Sequence, residues 1–286
     1  MISDITLGQF FPGSSPIHKL DPRTKILLSM LFIVTVFVAN NPISFLALIL
    51  SVVIITSVSR ISIGVIMKVV KPIIFILVIT AFINVFMTSG DGEPLISFLG
   101  VSVYKEGIIR AVFMALRVMV LIIGTSLLLT YTTSPISLTD GLESLLSPLK
   151  KIGVPVHTFA MMMSIALRFI PTLIEETEKI MNAQKSRGAD FTSGGLVKRA
   201  KALIPLLLPL IVSSFNRAEE LATAMECRCY RGDKNRTKLV KLQYKTADFV
   251  FFAVFVILLA IMICLAIIPD NLIVGNKIFD IAFYKI

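Results

Sequence analysis

The first half of the chain is built of long apolar runs separated by short polar breaks. Ile26 to Ala39 is the first run, and Asn40-Asn41-Pro42 after it is a turn signal. Ile43 to Val58 follows and ends at Arg60. Both runs are short for a membrane span of about 20 residues. Flanking Thr24, Lys25, Ser59 and Arg60 are therefore expected at the interfaces of a tight hairpin of two spans. Lys68 and Lys71 precede a third run, Pro72 to Met87, which closes in the turn-rich, acidic Ser89-Gly90-Asp91-Gly92-Glu93-Pro94. Leu95 to Val103 is apolar but too short to cross, and is expected at the interface. A fourth helix is predicted from Tyr104 to Thr130. It carries Arg110 and Arg117, seven residues apart and so nearly on one face. Charges inside a span face protein, water or a partner. Arg110 is expected to snorkel and Arg117 to pair within the bundle, with substrate contact as the alternative. A last span, Thr246 to Ile268, is bounded by Pro269-Asp270-Asn271, and the tail closes with Phe279 to Ile286.

Between the fourth and last spans the pattern changes from all-round apolar to one-sided. Thr139 to Lys151 reads as a short amphipathic helix with Leu142, Leu145, Leu146 and Leu149 on one face, ended by Gly153 and Pro155. From Val156 to Arg187, apolar and small residues recur at spacings of four and three: Phe159, Met163, Ala166, Ile170, Leu173, Thr177, Ile180 and Gln184. Such a helix would reach about 45 Å. Glu175 and Lys179 are a favourable i,i+4 pair. Gly188 to Gly195 breaks the pattern, and a second helix starts near Leu196. Its seam is Leu203, Leu207, Leu210, Ser214, Ala218, Leu221 and Met225. Pro171 in the first helix, and Pro205 and Pro209 in the second, interrupt the hydrogen-bond ladder and are candidate flex points. The two helices share one layout: apolar start, internal proline, charged second half. They should pack antiparallel or crossed.

Composition agrees with the pattern. Of 286 residues, 56% are hydrophobic and 16% charged, with mean hydropathy +0.88; a soluble domain is about a quarter charged. The net charge is +10, but the basic residues flank apolar spans and no base-stacking aromatic cluster accompanies them. Nucleic acid is therefore not the expected partner. Residues 131–245 hold 17 of the 28 Lys and Arg and 10 of the 18 Asp and Glu. The positive-inside rule places Lys19, Arg23 and Lys25, then Arg60, Lys68 and Lys71, and then this charged insert in the cytoplasm. Asn40-Asn41 and Asp91 to Glu93 go outside, and the alternation is self-consistent. Met1 to Pro16 lacks the basic-then-apolar layout of a cleaved signal. Cys227, Cys229 and Cys264 form no disulfide framework, and His18 and His157 are too remote in sequence to complete a metal site. The predicted class is all-α. It is a polytopic membrane protein of the cell membrane with about five transmembrane helices and a cytoplasmic domain of long, crossed amphipathic helices. The divisions fall at 1–130, 131–245 and 246–286.

Each long helix ends in an arginine between small residues: Ser186-Arg187-Gly188 and Cys227-Arg228-Cys229. A cation at a helix C-terminus complements the dipole, worth a few tenths to ~1 kcal/mol, and Gly188 or Gly232 supplies a left-handed exit. The other reading is that small neighbours clear space for a partner to close on a fixed guanidinium. Two such ends suggest a partner that is itself a pair.

Three blocks carry a resemblance that covers nearly the whole chain. They are Asp21-Pro22-Arg23-Thr24-Lys25; Phe169-Ile170-Pro171 through Ala183-Gln184-Lys185-Ser186-Arg187-Gly188; and Arg217-Ala218-Glu219-Glu220 through Ala224-Met225-Glu226-Cys227-Arg228-Cys229-Tyr230. The chain resembles the transmembrane T-component of energy-coupling factor type ABC vitamin transporters. The resemblance implies that Arg187 and Arg228 tip two coupling helices docking into two ABC-type ATPase subunits. It also implies a separate small membrane protein that captures the vitamin. Ser186 stands where the family's first motif usually has alanine, and the second motif is variable in the family. No Gly-x4-Gly-Lys-Ser/Thr loop is present, so ATP chemistry is expected from other chains, with no cofactor held here. A membrane-embedded enzyme would need carboxylates or histidines in the spans; Asp248, at an edge, is nearly alone. A stand-alone permease, the alternative function, would need mid-span polar groups, for which Asn84 and Arg117 are the candidates.

Overall fold

A computed structural model describes residues 10–87, 96–98, 101–189, 191, 195–230, 232 and 242–267. The acidic stretch 89–94 and the tail from residue 268 on lie outside the described residues. Eight α-helices are described. They are α1 (Pro22–Val38), α2 (Pro42–Ser59), α3 (Ile63–Met87), α4 (Lys105–Thr125), α5 (Pro135–Leu146), α6 (Val156–Ser186), α7 (Leu196–Cys227) and α8 (Thr246–Ile267). A π-helical turn, Ser126–Thr130, extends α4, and a 3-10 turn, Ser147–Ile152, follows α5. The short apolar stretch contributes two paired antiparallel strands. Ile96–Phe98 (β1) pairs with Val101–Val103 (β2), with Ile96 opposite Val103. Among the described residues the protein is all-α apart from that strand pair, and the five expected spans correspond to α1, α2, α3, α4 and α8. Among the described residues, six helices are long and apolar enough to cross a membrane: α2, α3, α4, α8 and, in addition, α6 and α7. At 17 residues, α1 covers only about 26 Å.

The chain divides into two units, 10–134 with the segment from 242 on, and 135–241. In the first unit α3 lies along α4, and α1 packs on α8 and α4. Its core is Leu28, Phe32 and Val36 of α1, Leu48 and Val52 of α2, Val120, Leu127 and Leu128 around the end of α4, and Phe255 and Met262 of α8. Phe32 meets Phe255 edge-on, with ring centroids 6.3 Å apart. Its other side lies over Gly124, where a Cβ would overlap the ring. Gly124→Ala is therefore expected to destabilise the bundle by about 1–3 kcal/mol through overpacking. A lower thermal midpoint of the detergent-solubilised protein, with Phe32→Leu/Gly124→Ala recovering part of the loss, would show it.

The charged residues of this unit do more than mark the water boundary. Lys25 was expected at the interface, but it is buried, at 2% exposure. Its Nζ donates to the Thr132 carbonyl at 2.7 Å and to the His18 carbonyl at 3.1 Å. Carbonyls left free at a helix end are good acceptors for a cation, and the chain just past α4 supplies one here. Asp21 caps α1, its Oδ1 accepting from the Arg23 N–H at 2.9 Å. Asp248, equally buried, accepts from the Asp21 N–H (2.8 Å) and from the Lys245 N–H (2.7 Å). The second contact is half of a capping box at the start of α8. Arg23 lies over the Tyr244 ring at 5.3 Å. One carboxylate thus fastens the start of α1 to the start of α8.

Arg117 pairs within the bundle, as expected. Its Nη2 donates to the Ala39 carbonyl at 2.7 Å and to Asn40 Oδ1 at 3.4 Å, and the guanidinium stands 5.5 Å from the centroid of Phe45. It closes the α1–α2 turn. Arg110 is half-buried, and its Nε has no hydrogen-bond partner among the described residues. Asn84 donates to the Thr80 carbonyl of its own helix at 2.8 Å. The two mid-span groups on which a permease reading rested are thus taken up in local contacts.

Candidate functional site

The second unit is α5, α6 and α7. The predicted amphipathic helix is split: α5 stops at Leu146, where Ser147-Pro148 begins the 3-10 turn, and Gly153 at φ +90° ends it. Proline removes a backbone donor and favours that tightening. Its leucine face stays open, with Leu142, Leu146 and Leu149 each about 40% exposed. Glu143 of α5 contacts His157 of α6, Oε1 to Nδ1 at 2.9 Å.

α6 and α7 are 31 and 32 residues long and run uninterrupted through Pro171 and through Pro205 and Pro209. Their apolar first halves are open: Phe159, Met162 and Met163 on α6, and Leu203, Leu207 and Leu208 on α7, are exposed. The second half of the α6 seam, Ile170, Leu173, Thr177, Ile180 and Gln184, is half-buried, and so are Leu210, Ser214, Leu221 and Met225 of α7. Leu173 and Thr177 face Leu207, Leu210 and Ser214 across a groove between the helices. Beside it Glu176 accepts two hydrogen bonds from α7, Oε1 from Ser213 Oγ and Oε2 from Arg217 Nη2, both at 2.6 Å. Glu175 and Lys179, the pair expected on the outer face, are both exposed and make no ion pair among the described residues.

The two helix ends are alike in backbone detail. Arg187 is the C-cap of α6. The Gly188 N–H bonds to the Lys185 carbonyl at 2.9 Å and the Ala189 N–H to the Gln184 carbonyl at 3.0 Å, with Gly188 at φ +87°. Arg228 is the C-cap of α7. The Cys229 N–H bonds to the Glu226 carbonyl at 2.8 Å and the Tyr230 N–H to the Met225 carbonyl at 3.1 Å, with Cys229 at φ +57°. Both are Schellman motifs. In the second the left-handed residue is Cys229, not Gly232, which stands three residues further on with its own φ of +76°. The 6→1 bond to Met225 needs the reversal directly after Arg228, so the chain takes it there at a cost of about 1–2 kcal/mol for a residue with a Cβ. Ser186, Arg187, Gly188, Cys227, Arg228 and Cys229 are all exposed. Each guanidinium is thus carried on a rigid, internally satisfied helix end, with small neighbours on either side.

A family model described as "Cobalt transport protein" (CbiQ) matches residues 13–239, a span that includes both arginine-tipped ends. The chain is 55% identical over 250 residues to the energy-coupling factor transporter transmembrane protein EcfT of Clostridium kluyveri, covering 87% of this chain and 92% of that one. It is 52% identical over 262 residues to the protein of the same name from Acidaminococcus fermentans, covering 90% and 97%. Against that of Bacillus subtilis it is 47% identical over 263 residues, covering 92% and 98%. The chain belongs to this family. It is a transmembrane component of an energy-coupling factor transporter, a multi-pass membrane protein that works in a complex with other subunits.

Sequence reasoning reached the two tips of this transporter component but not the Glu176–Ser213–Arg217 contact. Glu176 sits in an acidic run beside Glu175 and Glu178, and periodicity cannot say which carboxylate turns inward. Arg217 was visible only as the start of a charged stretch. The usable signal was a charged residue next to a seam position on each helix, Glu176 beside Thr177 and Arg217 beside Ala218.

Proposed function

We propose that this chain is the non-catalytic coupling subunit of its transporter. Two ABC-type ATPase subunits dock on the tips Ser186-Arg187-Gly188 and Cys227-Arg228-Cys229. A small membrane-embedded substrate-binding component rests on the apolar halves of α6 and α7. The N-terminus and the α5–α7 unit face the cytoplasm, following the Lys and Arg around the start of α1, from Arg60 into the first turns of α3, and after α5. ATP-driven closure of the ATPase pair moves the tips, and α6 and α7 carry the movement to the substrate-binding component, which takes up a vitamin or micronutrient. The observation that carries the reading is the repeat itself: two exposed arginines, each the C-cap of a Schellman-ended helix more than 30 residues long. A rigid helix transmits displacement along its length, and a guanidinium fixed at its end gives the partner a charged, planar, bidentate handle.

The reading is tested by purifying the tagged chain in detergent from cells that co-express the candidate ATPases and small membrane proteins. Recovery of two ATPase subunits and one substrate-binding protein with each copy supports it. Uptake by the chain reconstituted alone in proteoliposomes would replace it with a permease.

A further inference from the structure

The ion pair between Glu176 and Arg217 has a placement that the helix ends make meaningful. Eleven residues separate Glu176 from Arg187, and eleven separate Arg217 from Arg228. At 1.5 Å per residue the contact stands about 16 Å from each tip, at the same distance along both helices. The Glu176 carboxylate is saturated from the α7 side, with Ser213 on one oxygen and Arg217 on the other, both at 2.6 Å. Ser213 and Arg217 are one helical turn apart, so the carboxylate spans two successive α7 positions. Beside it the groove between the helices is lined by apolar and small side chains, Leu173 and Thr177 with Leu207, Leu210 and Ser214.

These two kinds of contact respond differently to a force at the tips. Apolar packing is non-directional and lets one helix slide on another. A carboxylate held by two donors a turn apart is directional: a slip of one turn, about 5.4 Å, would break both bonds and leave a carboxylate and a guanidinium unpaired. We infer that Glu176, with Ser213 and Arg217, is the fulcrum of the coupling helices. It is a set of positioning residues that fixes where α6 and α7 bear on each other, so that displacement of one arginine tip is passed to the other. The inference rests on the coupling reading above and adds to it the point about which the helices turn.

The test is a distance measurement between the tips in the complex purified with its ATPases. The native cysteines are kept, because Cys227 and Cys229 belong to one tip, and spin labels are attached through a non-canonical amino acid with a bio-orthogonal group at positions 185 and 226, both exposed and next to the tips. With the pair intact a single narrow distance distribution is expected. Glu176→Gln and Arg217→Gln are each expected to broaden it about twofold. The charge exchange Glu176→Arg/Arg217→Glu is expected to narrow it again, which a loss of general packing would not permit. Coupled uptake into proteoliposomes should follow the same order, falling about tenfold in the single variants, within the range typical of coupling between sites, and recovering in the exchange. Unchanged width in both single variants, or an exchange no narrower than the single variants, overturns the fulcrum. Absence of ATPases from the purified wild-type complex overturns the coupling reading instead, so the two failures are told apart.

Discussion

Asp248→Ala is expected to be the most destabilising single replacement in the helical bundle, costing about 3–5 kcal/mol. The carboxylate holds two backbone N–H groups, those of Asp21 and Lys245, at 2.8 and 2.7 Å. Removing it leaves the buried Asp21 N–H without its acceptor, at a desolvation cost of about 1–3 kcal/mol, and strips the part-buried Lys245 N–H of its cap. It also takes one of two nearby negative charges, the other being Asp21, from the neighbourhood of Lys25, a residue that is 2% exposed and bonded to two carbonyls. A buried cation with less compensating charge around it is costlier to keep buried. The two helix starts that Asp248 joins are more than 220 residues apart in sequence, so their alignment depends on this contact, on Arg23 over the Tyr244 ring and on apolar packing. Asp248→Asn keeps one acceptor oxygen and should cost less. The check is the thermal midpoint of the detergent-solubilised protein, followed by size-exclusion chromatography. Equal midpoints for wild type and Asp248→Ala would mean that the α1–α8 junction does not depend on this carboxylate. Lys25→Met in the Asp248→Ala background should recover part of the loss, because it removes a buried charge that has lost one of its two nearby carboxylates.

That junction also shows where a linear reading stops. The Asp21 to Lys25 block was legible as a helix start, with a cap, a proline and basic residues, and α1 begins there at Pro22. What could not be read was that Lys25 turns inward. Its acceptors, the carbonyls of His18 and Thr132, and its neighbour Asp248 are local and distant in sequence by turns, and a basic residue beside an apolar run has the same one-dimensional signature whether it meets water or a helix end. Asp248 looked like an edge residue for the same reason. The spans and the two seams were legible because 14 to 30 residues of one periodicity outweigh local exceptions. The pairing of residues 96–98 with 101–103 was not, since a stretch of nine residues carries too few periods to separate strand from helix. At the candidate site the arginines and their helix-terminal positions were legible from the break after each seam. The left-handed Cys229 was not, because glycine is the residue that signals such an exit and Gly232 stood nearby. The pairing of Glu176 with Arg217 depends on the register between two helices, which neither helix encodes alone.

The largest functional effect is expected from replacing both tips. Arg187→Ala/Arg228→Ala should leave the chain inserted in the membrane and folded, because each helix end is closed by backbone bonds that need no side chain: Gly188 to Lys185 and Ala189 to Gln184 on α6, Cys229 to Glu226 and Tyr230 to Met225 on α7. Losing a cation at an exposed helix C-terminus costs only a few tenths to ~1 kcal/mol per site. A partner that closes on a guanidinium loses far more. Truncating one side of a buried, hydrogen-bonded charge pair at an interface costs about 2–5 kcal/mol, so two sites together should reduce ATPase recovery at least ~100-fold at fixed concentration. The two explanations for the arginines then separate on lysine. If Arg187 and Arg228 serve only the helix dipole, Arg187→Lys/Arg228→Lys keeps the charge and behaves as wild type. If they are gripped by planar, bidentate acceptors, lysine restores the charge but not the fork, and recovery of the ATPases stays well below wild type. Uptake and ATPase co-purification, measured side by side for the alanine and lysine pairs against wild type, decide between them. Wild-type values for the alanine pair would leave the arginines with no part in docking. An intermediate value for the lysine pair, with normal membrane insertion, is the result that assigns Arg187 and Arg228 to the partner and not to the helices they cap.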